Sequence, residues 1–569
     1  MALAAFVIAC SAMFRPAARD ARIDGRDQLV GLALGVVYVT WLLATARELG
    51  FARDEGFYFH AAQDYGRWFE MLFEHPAEAF RRENIDGIWA TNHEHPALVK
   101  SLFALSHTYL YTKHHWFADA STAFRFPTMC FAGVGVWVTY LFGARAYSRP
   151  AGLLAAALFA LMPRVFYNAH LACFDVPIAT MWLLSIYVYW RSIQEGGLGW
   201  ALLAGVTYGL TLDTKHNSWI LPAVFVTHAF WVQRKDILSD VRRGQFRAPL
   251  SVVSMLVIGP IVFVAMWPWL WNDTMPRISE YMSFHLHHEY YNIEFLGKNY
   301  FGPPSPKSYM PVMILATVPT TTVALMLVGF GERVRHALRS ILGGPGILPD
   351  RAATDLLIVL SMLAAVGPFF LAKTPIFGGT KHWLPAYPFL ALLAGRGGEV
   401  ILTAARRTFG SWSSIGQKLG VAGVSASMVV APLVVTAHSH PFGLASYVPF
   451  VGGTAGGATL GLNRQFWGYT TESANADYLE ANAPHGARVF MHDTAWDSWA
   501  RMTEEHRVRS DLRGVNSPQE SDIALLHWEL HMTEVEYGIW VVYGTRSPVH
   551  VVAQDGVPIV LIYARNRSR

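Results

Sequence analysis

Asp54 and Glu55 stand side by side just after the first apolar run of the chain, Leu29 to Ala46, with Arg53 directly before them. Carboxylates at the edge of an apolar span are costly to hold away from bulk water, and groups kept there are candidates for function. Asp54 is the candidate general base, a carboxylate that takes a proton from an attacking group. The plain alternative is that the pair caps a helix, or is solvated where the chain leaves the apolar run. Other acids and bases recur at comparable positions. His93, Glu94 and His95 lie in a polar stretch, Arg125, Arg164 and Asp175 at the edges of later apolar runs, then Lys215, Lys381 and His382. Taken singly, each is as well explained by interfacial pairing, or for the arginines by snorkelling. Only their joint placement argues for chemistry.

The elements that must position these residues follow from composition. Of 569 residues 53% are apolar and 15% charged, and 20 Trp, 23 Tyr and 34 Phe fit repeated membrane spans with aromatic belts. A net charge of +4 on so long a chain gives no reason to expect nucleic acid as a partner. Cys10, Cys130 and Cys173 all sit in or beside apolar segments, which excludes a disulfide framework and a cysteine-based zinc site. The first fourteen residues are apolar but short for a span, and read as an interfacial segment, a signal-like remnant or a misplaced start.

Arg15, Arg19, Arg22 and Arg26 precede the first span and place that end in the cytoplasm by the positive-inside rule. Further spans are expected near 126–144, 151–168, 177–190, 200–213, 218–232 and 249–271. After an outer loop, pairs bracket Arg333, Arg335, Arg339 and Arg351, then Arg396, Arg406 and Arg407, with a last span near 419–436. The total is about eleven. Ala97 to Leu110, roughly 14 residues, is short for a span and reads as an interfacial or re-entrant helix. With this parity Arg53, Asp54, Glu55, His93, Glu94, His95, Arg125, Arg164, Asp175, Lys215, Lys381 and His382 all face outward, most at span ends. One side of the membrane collects acids and bases where spans meet, which suggests a site at the outer leaflet boundary.

The expected fold is therefore mainly α and polytopic: a transmembrane domain over 1–437, whose outer loop 47–124 carries the acids and interfacial helices, and a small outer-face α/β domain over 438–569. In the latter, Pro441 to Leu462 is Gly-rich but lacks the Lys-Ser/Thr of a P-loop, so it reads as a loop. A helix is expected over Glu472 to Asn482, and β-runs at Ala487–Met491, Ile523–His527, Gly538–Tyr543, Val549–Ala553 and Pro558–Tyr563. His492-Asp493 and Trp496-Asp497 could contact a sugar, although a surface turn explains them as well.

The run Asp54-Glu55-Gly56-Phe57-Tyr58, followed by His93-Glu94-His95-Pro96-Ala97-Leu98-Val99-Lys100, resembles the first outer loop of the protein O-mannosyltransferase family, with its Asp-Glu pair and His-Pro-Pro-Leu-Gly-Lys stretch. Arg125-Phe126-Pro127 resembles that family's Arg-x-Pro entry to the second span. Phe174-Asp175-Val176-Pro177 is similar to the second outer-loop acid shared with the aminoarabinose lipid A transferases. Thr214-Lys215-His216-Asn217 and Lys381-His382-Trp383-Leu384-Pro385-Ala386-Tyr387-Pro388 are similar to later motifs of the same group. Ala97 and Val99 depart from the pattern, and no β-trefoil insert is recognisable. The likeness covers roughly residues 28 to 460.

The resemblance implies a GT-C fold glycosyltransferase of a bacterial inner membrane, taking sugar from a polyprenyl-phosphate carrier on the outer face and passing it, with inversion, to a lipid, glycan or protein acceptor. Such a donor already has a good leaving group, so the enzyme needs one carboxylate to accept the acceptor's proton and cations to hold the phosphate. Asp54 is then the base, Glu55 orients the acceptor or holds a neighbouring cation, and Asp175 is a second acid fixing hydroxyls. Lys215, Lys381 and His382, with Arg125 behind them, would hold the phosphate, and Tyr58, His93 and His95 would line the acceptor side. No cofactor is assigned. If a divalent metal is used, His93, Glu94 and His95 are the candidates, with His285-Leu286-His287-His288-Glu289 as a second cluster, but neither spacing matches a defined site. The readings from other classes are a secondary transporter, which charges gathered at one face do not favour, and a non-catalytic scaffold presenting its outer domain, which leaves Asp54, Glu55 and Asp175 unexplained.

Overall fold

The structure, a computed structural model, describes residues 23–243, 249–341, 349–371, 373–376, 378–464 and 473–565. The apolar opening stretch with Arg15, Arg19 and Arg22 lies outside the described residues. Among those described, five helices are long and apolar enough to cross a membrane: Gly25–Glu48, Ala120–Ala146, Arg351–Phe370, Gly379–Ser411 and Ser414–Ser439. Two bent pairs, Arg149–Ala160 with Pro163–His170 (63°) and Tyr309–Thr317 with Thr320–Arg339 (116°), make seven if each is one span. Both bends fall at a proline, Pro163 and Pro319, which lacks the N–H that would continue the helix and holds the preceding residue extended; Met162 and Val318 have ψ of 121° and 133°.

Asp175–Glu195, Leu198–Leu212, Leu221–Arg242 and Leu250–Met266 occupy the other expected span positions without meeting that length and apolarity on their own. Asp175–Glu195 is buried along most of its length, so it packs against protein on every side and needs no lipid-facing stripe. Close approach of helices is bought with small residues: a Cβ on Gly329 would lie 2.0 Å from the Leu393 carbonyl oxygen of the facing helix. Leu98–Leu105 continues as a wider-turned helix over Ser106–Lys113 and is not among the long apolar spans.

The two ends of the bundle differ in their ion pairs. Asp27, at the start of Gly25–Thr45, accepts from Arg149 at 2.7 Å. Arg333 pairs with Asp355, to which Tyr147 also donates, and Arg396 with Glu332. Arg333 and Arg396 are among the basic residues that the expected span pairs bracket. Asp54 follows the far end of that 21-residue helix, about 30 Å away at the α-helical rise.

The C-terminal segment forms a five-stranded mixed sheet. Numbered along the chain after the hairpin β1 (Ile293–Phe295) and β2 (Lys298–Tyr300), its strands are β3 (Arg488–Met491), β4 (Arg513–Val515), β5 (Ile523–His527), β6 (His550–Gln554) and β7 (Val557–Ala564). Their order is β4-β3-β5-β7-β6, with β3 parallel to both neighbours and β7 antiparallel to both of its own. Asp555 and Gly556, both at positive φ, make the two-residue turn between β6 and β7 that the twist of a hairpin favours.

Gly538–Tyr543, expected as a strand, is instead the second half of the helix Thr533–Tyr543. Its buried positions Glu536, Ile539 and Tyr543 recur at helical spacing, and Gly544 ends it in the left-handed conformation, so packing on the sheet outweighs the local β-propensity. The Gly-rich stretch is largely irregular, as expected, but contains the short helix Gly453–Thr459.

Candidate active site

The helix Arg53–Glu74 begins at the acidic pair, where its N-terminal dipole favours negative charge. The two acids then diverge. Glu55 is fully buried and accepts from the backbone N–H of Ala52 at 3.0 Å and of Ala172 at 2.9 Å. Arg125, equally buried, donates to it from Nε (2.7 Å) and Nη2 (2.8 Å) and also donates to the Ala46 and Gly50 carbonyls, with its guanidinium over the Phe51 ring. This clamp joins the end of the first span, the start of the Arg53–Glu74 helix, the Ala120–Ala146 helix and the Ala172 loop. Of the two expectations for Glu55, holding a neighbouring cation is the one seen. Arg125 is not on the cavity wall, and its donors are taken up by Glu55 and the two carbonyls. Capping and candidate chemistry coexist in the dipeptide, because Asp54 faces the other way with 28% of its side chain exposed.

Asp54 lines a cavity of about 610 Å³, the size range of a small-molecule site. Lys381 Nζ lies 3.2 Å from Asp54 Oδ2, and Lys215 Nζ lies 2.6 Å from Asp175 Oδ1. The two pairs come from four chain segments. Asp175 opens its helix after the bend Leu171–Phe174, and Lys215 leaves Leu198–Leu212 at the turn before His216–Ile220. Lys381 sits in the tight helical segment Gly379–Ala386, which Gly378 and Gly379 enter at φ of 69° and 58°, a turn open to residues without Cβ. His382 lines the same cavity, and its carbonyl accepts from Asn217 at 3.2 Å.

Tyr58 and His95 are also on the wall, packed with Phe174: the Tyr58 and Phe174 rings are 4.3 Å apart and those of His95 and Phe174 5.2 Å. His95 is carried by a loop that Lys100 holds through the Asn92 and His95 carbonyls and that Asp213 holds through the Ala97 N–H. His285, from Thr274–Leu286, stacks on His216 at 4.0 Å and meets the Glu94 carbonyl at 2.8 Å. Burial holds the His95 imidazole well below its usual range, helped by Lys100 and His285, and burial brings His285 down to about 4 against the pull of the Glu94 carbonyl. Both rings are therefore neutral near pH 7, suited to hydrogen bonding rather than to charge.

His93 is not on the wall. Its ring rests on Trp269 at 4.6 Å and reaches Glu280 at 3.1 Å. His93, Glu94 and His95 thus point apart: Glu94 accepts from Asn92 at 2.6 Å and His95 turns inward, so the structure does not bring these three together as metal ligands. Arg164 ties its helix to the Leu444 and Ser446 carbonyls and lies off the cavity.

The C-terminal segment closes the cavity with Asp493, which the sequence offered only as a possible sugar contact or a surface turn, and with residues to which sequence reasoning gave no role. Asp493, in the left-handed conformation, takes Arg53 at 3.0 Å; burial pushes its carboxyl up, opposed by that guanidinium. Glu529, His531 and Asn463 complete this side. The signal available was Glu529-x-His531 just beyond the end of β5, an acid and an imidazole leaving a buried strand.

Residues 110–269, the stretch bearing Arg125, Asp175 and Lys215, match the model of the dolichyl-phosphate-mannose-protein mannosyltransferase family. Over that stretch the chain resembles this mannosyltransferase family, the same group to which its motifs are similar. Among solved structures it is similar to ArnT from Cupriavidus metallidurans bound to undecaprenyl phosphate, at 15% identity over 95% of this chain and 98% of that one, with a TM-score of 0.46. It is also similar to the archaeal oligosaccharyltransferase AglB from Archaeoglobus fulgidus in complex with an inhibitory peptide and a dolichol-phosphate (10% identity, 87% and 65% covered, TM-score 0.46). A third is the arabinosyltransferase EmbB from Mycobacterium smegmatis (13%, 88% and 45%, TM-score 0.39). No curated protein sequence matches the chain.

Proposed function

We propose that the chain is a membrane glycosyltransferase that takes a sugar from a polyprenyl-phosphate carrier and passes it to an acceptor hydroxyl or phosphate at the outer face of the membrane. The observation that carries this is the convergence of two carboxylate–ammonium pairs, Asp54 with Lys381 and Asp175 with Lys215, on one cavity at the end of the bundle away from Asp27 and Arg149. The match of residues 110–269 to a family named for a dolichyl-phosphate sugar supports the donor class.

In this reading the acceptor oxygen attacks the anomeric carbon as the bond from that carbon to the phosphate oxygen breaks, a single displacement that inverts the centre. For a hydroxyl acceptor, Asp54 takes the proton. The departing phosphate gathers the two ammonium groups, which exchange part of their contact with Asp54 and Asp175 for the new anion, with His382 beside them. Asp175, relieved of part of Lys215, fixes sugar or acceptor hydroxyls, and the Tyr58, Phe174 and His95 group gives the ring an aromatic wall.

The test is transfer from a radiolabelled polyprenyl-phosphate sugar in membranes containing the full chain. Asp54→Asn should fold and insert normally yet lose transfer by about 10²–10⁴-fold, the range for a positioned general base. Undiminished transfer by this variant would remove Asp54 from the chemistry.

A further inference from the structure

We infer that Glu294, Glu529 and His531 form a binding site for a divalent transition cation, of the zinc class, which joins the β1–β2 hairpin to the C-terminal sheet at the cavity wall. One ligand atom from each of the three lies within 4.8 Å of the others. His531 Nδ1 is 3.0 Å from Glu294 Oε1 and 3.5 Å from Glu529 Oε2, while the His531 backbone N–H holds Glu294 Oε1 at 2.9 Å. Two carboxylates and one imidazole are a hard, N/O donor set that suits zinc or manganese and has no use for a soft cation.

A group of acids alone would be a commonplace, but two further observations point to a bound cation. Glu529 is only 8% exposed, and among the described residues no hydrogen bond reaches its carboxylate; its one close partner is the imidazole of the same trio. Asn463, 5% exposed and on the same cavity wall, has a side-chain oxygen without a hydrogen-bond partner. Its segment is tied to the hairpin by the bond from Gly297 N–H to the Gly461 carbonyl, 2.9 Å. Two carboxylates buried against one imidazole are costly to hold as charges, and a bound cation would offset that cost.

The trio is separate from Asp54 and Asp175, and it stands whether or not the cavity transfers sugar. Glu529 and His531 line the cavity whereas Glu294 does not, so an ion held by all three would sit at the wall. Three protein ligands leave a tetrahedral ion one open position. The ion would fix the hairpin against the sheet and offer that position to an oxygen of whatever fills the cavity.

The full chain in detergent, stripped with a chelator and dialysed, is titrated with Zn²⁺ by calorimetry, with thermal melting in parallel. The expected result is one tight equivalent that raises the melting temperature of the wild type, with affinity at least about tenfold weaker in Glu529→Gln and in His531→Gln, and unchanged in His93→Ala and in the His287→Ala/His288→Ala pair. X-ray absorption on the zinc-loaded wild type serves if a variant fails to fold: it should show only N/O scatterers at about 2.0–2.2 Å with a single imidazole. Equal binding by wild type and both trio variants, binding lost instead with His93 or His287 and His288, or a shell of several imidazoles would overturn the site.

Discussion

Asp54 and Glu55 are adjacent in sequence and opposite in role, so their isosteric variants should separate cleanly. Glu55→Gln removes the charge facing a buried Arg125, and breaking a buried pair on one side costs about 3–5 kcal/mol; a lowered melting temperature and poor yield in membranes are expected. Asp54→Asn should keep the melting temperature and lose turnover. Were the stability losses reversed, the assignment of clamp and cavity face would be wrong. Lys215→Met and Lys381→Met each delete a charge-assisted bond worth about 1.5–3 kcal/mol, so donor KM should rise roughly ten- to a hundredfold. Of the residues named for chemistry from sequence, Asp54, Asp175, Lys215, Lys381, His382, Tyr58 and His95 line the cavity, while Glu55, Arg125 and His93 do not. Parity along the chain identified the end of the bundle, but which way each side chain turns depends on partners such as Ala172 and Glu280 that only the folded chain brings near.

Elements rather than single groups set the cavity's shape. His285 belongs to the helix Thr274–Leu286, and its imidazole is neutral in the fold down to about pH 4, whereas an unfolded chain protonates near pH 6.5. Below that ordinary value the unfolded state binds more protons, so stability falls as pH drops from about 6.5 and the loss from this group is complete near pH 4. Melting temperatures across that window should fall less steeply in His285→Gln than in the wild type. Gly461 sits at φ +70°, and a Cβ there would lie 2.1 Å from the Gly297 backbone nitrogen. Gly461→Ala should therefore displace the β1–β2 hairpin, costing about 1–3 kcal/mol by melting. The long helices of the bundle were legible from apolar runs of near-bilayer length, and β5 from its unbroken apolar run, whereas Thr274–Leu286 and Trp496–Glu504 were not expected. Thr533–Tyr543 was misread because Ile539, Val541 and Val542 favour strands locally, and the helix is held by its buried face on the sheet.

For the whole molecule, the positive-inside reading separated two sets of charges, and the structure keeps them apart: Arg333 and Arg396 with their acids at one end, where Arg149 also pairs with Asp27, and the Asp54 and Asp175 pairs in one cavity at the other. Local pattern offered Asp493 as a possible sugar contact and left Glu529-x-His531 unread; that the C-terminal segment, far along the chain, brings all three to that cavity depends on the folded chain. Such contacts join residues hundreds of positions apart, as with Arg53 and Asp493. The most direct measurement is a density map of the full chain with a bound polyprenyl-phosphate sugar. The phosphate should lie within hydrogen-bond reach, about 2.7–3.2 Å, of Lys215 and Lys381, with the anomeric carbon turned toward Asp54. A phosphate bound beside Arg149 and Arg333, or in the cavity with neither lysine touching it, would contradict the assignment.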